Sequence, residues 1–277
     1  MINGNTRLIA HIGYPTHTFK SPMIYNPYFE REDIDVRVVP FGSKTEDYPA
    51  LLRALFTLTN IAGALITMPH KVTTVGLLDR VSPTAQIAGA CNAVRLGADG
   101  LLEGDMFDGA GFVRGMVRKG VEAKGKSALV VGCGGVGSAI AASLAGAGVA
   151  RMKLFDVNRQ AVEALAGRLQ EHHAQLQVEV GDADPEGVDI VVNATPLGMN
   201  EGDPMPMAVE RISPHAFVGE VVLKSESTPF LAAARARGCH TQIGTDMLFE
   251  QIPAYLEYFG LPTTTAERLR ELAQISY

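Results

Sequence analysis

Four glycines carry the clearest chemical signal in this chain of 277 residues. Gly132, Gly134, Gly135 and Gly137 stand with Val136 in ALVVGCGGVGSAI, after a strand-like apolar run and before a small-residue helical stretch. That order is the strand, G-x-G-x-x-G, helix context of a dinucleotide site. Gly132 permits the tight turn, Gly134 lets backbone approach a pyrophosphate, and Gly137 allows close helix–strand packing. The helix start offers free N–H groups and partial positive charge to phosphates. The plain alternative is a glycine-rich strand-to-helix turn with no ligand. Asp156 ends the next strand in KLFDVN, near the offset of about 20 residues expected of a ribose-binding acid. A carboxylate there accepts hydrogen bonds from the ribose hydroxyls and repels a 2′-phosphate, so NAD is favoured and NADP is the alternative, with Arg159 close by. An aspartate capping the next helix is the simpler reading. VVNATPLGM closes a later strand at Asn193, and Thr195, Pro196 and Gly198 form a turn whose backbone could run along the same cofactor.

Other chemistries find less support. The seven histidines lack H-E-x-x-H or H-x₄-H spacing, so no metal centre is expected. His172 and His173 lie in a polar helix, while His11 and His17 flank an N-terminal loop. The cysteines, Cys91, Cys133 and Cys239, are sparse, odd in number and never C-x-x-C, which fits a reducing cytoplasm. A formal charge of -6 with no Lys/Arg cluster argues against nucleic acid and membrane surfaces. The N-terminus shows no signal-peptide pattern, and no apolar run approaches the ~18 residues of a membrane span. The expected partner is a small-molecule substrate, and the chain is expected to work as a monomer or homodimer.

These residues need a scaffold, and the chain alternates short apolar runs with helical stretches, as an α/β protein with parallel strands does. Strands are expected at 8–12, 36–39 and 62–67, helices at 21–30 and 48–58, and a hairpin over 93–105 turning at Ala98-Asp99-Gly100. After a helix at 109–119 the rhythm is Rossmann-like. Strands fall at 128–131, 152–155, 178–180, 190–193, 218–222 and 241–243, with a helix at 136–147. Helices over 247–259 and 265–275 finish the chain.

Several segments together resemble the shikimate/quinate dehydrogenase family across nearly the whole length. They are GYPTHTFKSPMIYNPYF, GALITMPHK, AGACNAVRL followed by GDMFDGAG, GCGGVGSA, NATPLGM, TPFLAAARARG and GTDMLFEQ. Each is weak alone; their order and spacing are specific. The resemblance implies an N-terminal α/β substrate domain (1–108, completed by helices in 246–277), a C-terminal Rossmann domain (109–245, a doubly wound parallel sheet), and a cleft between them. It implies reversible oxidation of a secondary alcohol on a shikimate- or quinate-like cyclic hydroxy acid, with Lys71 and Asp108 as the catalytic pair. A neutral lysine amine can take the hydroxyl proton, and its ammonium form can stabilise an alkoxide. Asp108 can hold lysine and hydroxyl in line, or simply cap a helix. Ser21, Thr67, Asn92 and Gln251 match positions that bind substrate, and Met247 one near the nicotinamide, although a core methionine is the competing reading.

Departures from the family gather at the substrate positions. Where the family has paired serines, Phe19 stands two before Ser21, with Thr18 beside it. Its N-V-T is Leu65-Ile66-Thr67 here, its N-T-D is Met106-Phe107-Asp108, and its late tyrosine is Leu223. Removing donors for a polyhydroxylated acid can cost several powers of ten in specificity. Shikimate is therefore expected to be a poor substrate. A nucleotide-binding sensor without turnover, or a dehydrogenase for a different substrate on the same plan, are the competing functions.

Overall fold

The computed structural model describes residues 2–223 and 227–275. The chain divides into two compact units. The first comprises 1–86, 90–107 and 252–277, and the second 87–89 and 108–251.

In chain order the first unit contributes β1 (Arg7–Gly13), α1 (Pro22–Arg31), β2 (Val36–Gly42), α2 (Tyr48–Leu55), β3 (Ile61–Ile66), α3 (Lys71–Val75), β4 (Arg80–Val81), most of α4 (Pro83–Ala88, whose last two residues count with the second unit), β5 (Ala93–Leu96) and β6 (Leu102–Asp105). The second holds α5 (Asp108–Arg118), β7 (Ser127–Val131), α6 (Gly135–Gly146), β8 (Arg151–Phe155), α7 (Arg159–His172), β9 (Gln177–Val180), β10 (Ile190–Asn193), β11 (Phe217–Glu220), α8 (Pro229–Ala236) and β12 (His240–Gln242). Then α9 (Gly244–Tyr258) begins in the second unit and ends in the first, which α10 (Ala266–Leu272) completes.

The first sheet runs β2-β1-β3-β5-β6-β4. β1 pairs in parallel with β2 and β3, whereas β5 is antiparallel to β3 and to β6. The sheet is therefore mixed, because the 93–105 hairpin inserts an antiparallel pair. The core beneath it includes Ile12, Tyr48, Leu52, Ile66 and Val94. The last segment of the chain docks on this unit. A Cβ on Gly63 would lie 2.3 Å from the Phe259 ring, so only glycine fits under that aromatic. Tyr28 Oη donates to Pro262 O at 3.0 Å and Tyr258 Oη to Glu103 O at 2.8 Å.

The second sheet is wholly parallel, in the order β12-β11-β10-β7-β8-β9. This is the dinucleotide-fold order, with its reversal between β7 and β10. All five residues of β7 are buried, as a strand covered on both faces requires. Small residues in α6 allow close packing: a Cβ on Gly109 of α5 would lie 2.0 Å from Ala139 O. Side-chain caps start three helices, from Asn158 onto Ala161 N, Thr228 onto Leu231 N and Thr265 onto Arg268 N.

Two expected helices are shorter than their apolar patterns. α2 stops at Leu55, not 58, and α10 at Leu272, not 275. Leu58 is 55% exposed, so its apparent helical spacing was not core spacing.

Candidate active site and nucleotide turn

Gly132 leaves β7 with φ +98, and a Cβ there would lie 2.8 Å from Ala194 C and 2.9 Å from Thr195 N. The turns after β7 and β10 thus meet at the switch point of the sheet, where parallel α/β folds bind ligands. A Cβ on Gly137 would lie 1.8 Å from Gly132 O, which makes glycine obligatory there. A Cβ on Gly134, the N-cap of α6, would meet nothing within 4 Å. Gly135 and Val136 open the helix, with their N–H groups in its first turn. Asp156 follows β8, and its carboxylate accepts Cys133 N at 2.6 Å and Asn158 N at 2.8 Å. It braces the glycine turn directly; the cap of α7 is Asn158 instead. Val157 is 94% exposed, and Arg159 is paired with Glu163.

Asn193 is fully buried at the end of β10. Its Nδ2 donates to Leu197 O at 3.1 Å, and its Oδ1 accepts the Thr195 backbone N–H and hydroxyl at 3.1 and 2.6 Å. One amide therefore shapes the whole 194–197 turn. Asp108 begins α5 and is buried. Met247 and Gln251 lie on α9, where it packs on Gly111 of α5. Met247 joins the hydrophobic core of this unit, and Gln251 is buried with its Oε1 lacking a hydrogen-bond partner among the described residues.

In the first unit, Thr67 follows β3, and its N–H donates to Ile12 O at 2.9 Å. A Cβ on Gly13 would lie 2.4 Å from Thr67 Cγ2 and 3.0 Å from Phe19 Cζ, so Thr67 and Phe19 close over the end of β1. The Phe19 ring stacks on His11 at 4.1 Å. His11 is buried, and Nδ1 has no hydrogen-bond partner among the described residues. Burial, then the positive charge of Lys71, hold its pKa down to about 3. His11 is thus a neutral imidazole within electrostatic reach of the lysine.

Lys71 is the first residue of α3, and its carbonyl accepts Cys91 N at 2.8 Å. A buried brace holds that helix. His70 bonds Ser43 O through Nε2 at 2.9 Å and stacks on Tyr48 at 4.0 Å. Thr74 Oγ1 donates to His70 O at 2.8 Å and receives the Tyr48 hydroxyl at 2.6 Å. Asn92 is buried; Oδ1 accepts Phe107 N at 3.0 Å, while Nδ2 has no partner among the described residues. Ser21 is the buried N-cap of α1, but its hydroxyl makes no cap bond. Thr18 is exposed and donates back to Pro15 O at 3.0 Å. Phe107 leans on Tyr255 and Tyr258, and Leu65 and Met106 are core residues. Lys71, Thr67, Phe19 and His11, which the sequence placed only beside the N-terminal loop, therefore share one region, and Thr18 turns its hydroxyl back to Pro15. Glu220 was also missed. A glutamate inside the apolar run FVGEVVL was the available signal, since charges are rarely buried without purpose.

The profile of the shikimate dehydrogenase substrate binding domain matches residues 11–94. The shikimate dehydrogenase (NADP(+)) of Rubrobacter xylanophilus is 37% identical over 256 residues, covering 90% of this chain and 89% of that protein. The chain belongs to the shikimate dehydrogenase family. Another member, the shikimate dehydrogenase (NADP(+)) of Acidiphilium cryptum, is 34% identical over 97% of this chain and 96% of its own. Among solved structures, quinate dehydrogenase from Corynebacterium glutamicum in complex with NAD superposes with a TM-score of 0.86 at 31% identity, covering 96% of this chain and 98% of that one. Membership makes this chain a shikimate/quinate dehydrogenase-like oxidoreductase that uses NAD or NADP. The β7–α6 turn fits such a dinucleotide: Gly132 and Gly137 stand where a side chain would collide with backbone, and Gly134 leaves open space at the start of a helix. Among the described residues no His, Cys, Asp and Glu cluster could hold a metal, and no helix is long and apolar enough to cross a membrane.

Proposed function

We propose that this dehydrogenase oxidises a secondary alcohol on a cyclic hydroxy acid related to shikimate or quinate, with Lys71 and Asp108 as its catalytic pair. The observation that carries the reading is the glycine turn at the switch point of a Rossmann sheet, in a chain that also keeps the family's lysine and aspartate motifs. The nicotinamide supplies a hydride acceptor when bound. Lys71 takes the hydroxyl proton, or returns it in reduction, and Asp108 orients lysine and hydroxyl. Thr67, Asn92, Ser21 and Gln251 hold the substrate; the buried, unpartnered polar atoms of Asn92 and Gln251 support a polar ligand for both. Lys71→Met and Asp108→Asn should each lower kcat by about 10²–10⁴-fold while the nucleotide Kd stays within about threefold. Full activity in Lys71→Met would sink the assignment.

The ring lining is less polar than the family's, with Phe19 against Thr67 and His11 where a second serine is usual. The favoured substrate is a more apolar or differently substituted relative of shikimate. A panel of cyclic hydroxy acids, each with NAD and NADP, tests this. Shikimate turned over with kcat/KM of ~10⁵ M⁻¹s⁻¹ or more would refute it. Asp156 beside exposed Val157 supports NAD over NADP. A higher kcat/KM with NADP would reverse that preference. The three unpaired thiols support a reducing, cytoplasmic setting, and a monomer or homodimer is the expected assembly.

A further inference from the structure

Glu220 ends β11 with none of its surface exposed. Its register partner on β10 is Asn193, the amide that shapes the 194–197 turn. Its Oε2 accepts the Thr228 hydroxyl at 2.9 Å, and Oε1 has no partner in hydrogen-bonding geometry among the described residues. Thr228 also caps α8, and it lies close to Gly198 of the same turn. A Cβ on Gly198, which has φ +98, would lie 3.5 Å from Thr228 Cβ. A single carboxyl therefore stands behind both anchors of the turn.

Burial pushes this carboxyl up to about 7, against the Thr228 hydroxyl, the Asn193 amide and the positive charge of Arg235. Among the described residues, Arg235 on α8 is the charged group acting on it, and it is itself held by Thr241 and Ser227. A buried charged carboxylate with one oxygen unsatisfied is costly, and the protonated form, or an amide of the same shape, costs less because it carries no net charge.

We propose that Glu220 is a positioning residue of the nucleotide site, joining Asn193 and Thr228 into one scaffold that fixes the 194–198 turn. This rests on the reading that the turn borders the bound cofactor. The protonated side chain keeps the scaffold relaxed, and ionisation makes Asn193 and Thr228 regroup around a charge. Cofactor affinity should therefore weaken as pH rises through neutrality.

The test is calorimetric titration of the unloaded protein with oxidised nicotinamide nucleotide from pH 6 to 8.5, set beside steady-state kinetics. Wild-type Kd should rise severalfold across that range, while Glu220→Gln keeps the low-pH value throughout. Glu220→Leu, which removes both oxygens, should raise Kd and cofactor KM about tenfold with kcat at saturating cofactor within about threefold, as loss of one or two buried hydrogen bonds would do. A Glu220→Gln slope equal to that of wild type, or a normal Kd in Glu220→Leu, overturns the proposal. Should Glu220→Leu fail to fold, the pH series on wild type and Glu220→Gln still decides. Gly198→Val, strained at a positive φ, separates the two layers. If it binds nucleotide normally, the turn does not border the cofactor and the proposal falls with that reading. If it binds poorly while Glu220→Leu binds normally, Glu220 alone is refuted.

Discussion

At the scale of single residues, an imidazole beside a lysine sets a pH limit on the first unit. His11 is pulled from 6.5 down to about 3, first by burial and then by Lys71. An unfolded chain protonates this histidine below its ordinary value, whereas the folded one does not. The stabilisation is thus complete above about pH 6.5 and is lost progressively as pH falls toward 3. His11→Phe, which cannot take a proton, should flatten that acid limb when urea midpoints are compared between pH 7 and pH 4. Identical acid slopes for the two proteins would show that His11 is not what destabilises the fold there. The same residue bears on chemistry, because a neutral ring adds no charge beside Lys71 and presents Phe19 with a flat partner.

Helices and strands explain what the sequence could and could not disclose. The Rossmann half was legible chiefly because its central strands β7 and β10 are buried apolar runs followed by turn residues, and Gly132 and Gly137 sit where backbone must nearly touch backbone. The short helix α3 was not legible. Its residues are Lys71, Val72, Thr73, Thr74 and Val75, mostly β-branched, with neither helical propensity nor periodicity to announce them. Tertiary bonds hold it instead, through His70, Tyr48 and Thr74. Likewise Asn193 and Glu220 become neighbours only when β10 and β11 pair, which no local pattern encodes. The substrate positions were recognisable from motif order, but the stack of His11 on Phe19 depends on how the loop after β1 folds back. The brace on α3 can be measured. Thr74→Val keeps shape but leaves the buried Tyr48 hydroxyl without its partner, which should cost about 1–3 kcal/mol. Thr74→Ser should recover most of that loss in chemical denaturation, and a Thr74→Val protein as stable as wild type would show the brace to be unimportant.

For the molecule as a whole, the telling feature is that the first unit is made of discontinuous chain. Residues 252–277 belong to it, and Phe259 lies over Gly63 while Tyr28 and Tyr258 reach across by hydrogen bonds. Cooperative units usually coincide with such packed bodies. In native-state hydrogen exchange, amides of 252–258 should open together with β1–β3. Opening in step with β7 and β10 would instead assign them to the second unit. A ribosome delivers a polypeptide from its amino end, so β1–β3 cannot finish their core until the segment that begins at residue 252 has emerged. The parallel sheet in the middle has no such wait, and stalled nascent chains cut short before residue 252 should already protect it from protease while leaving the opening third digestible.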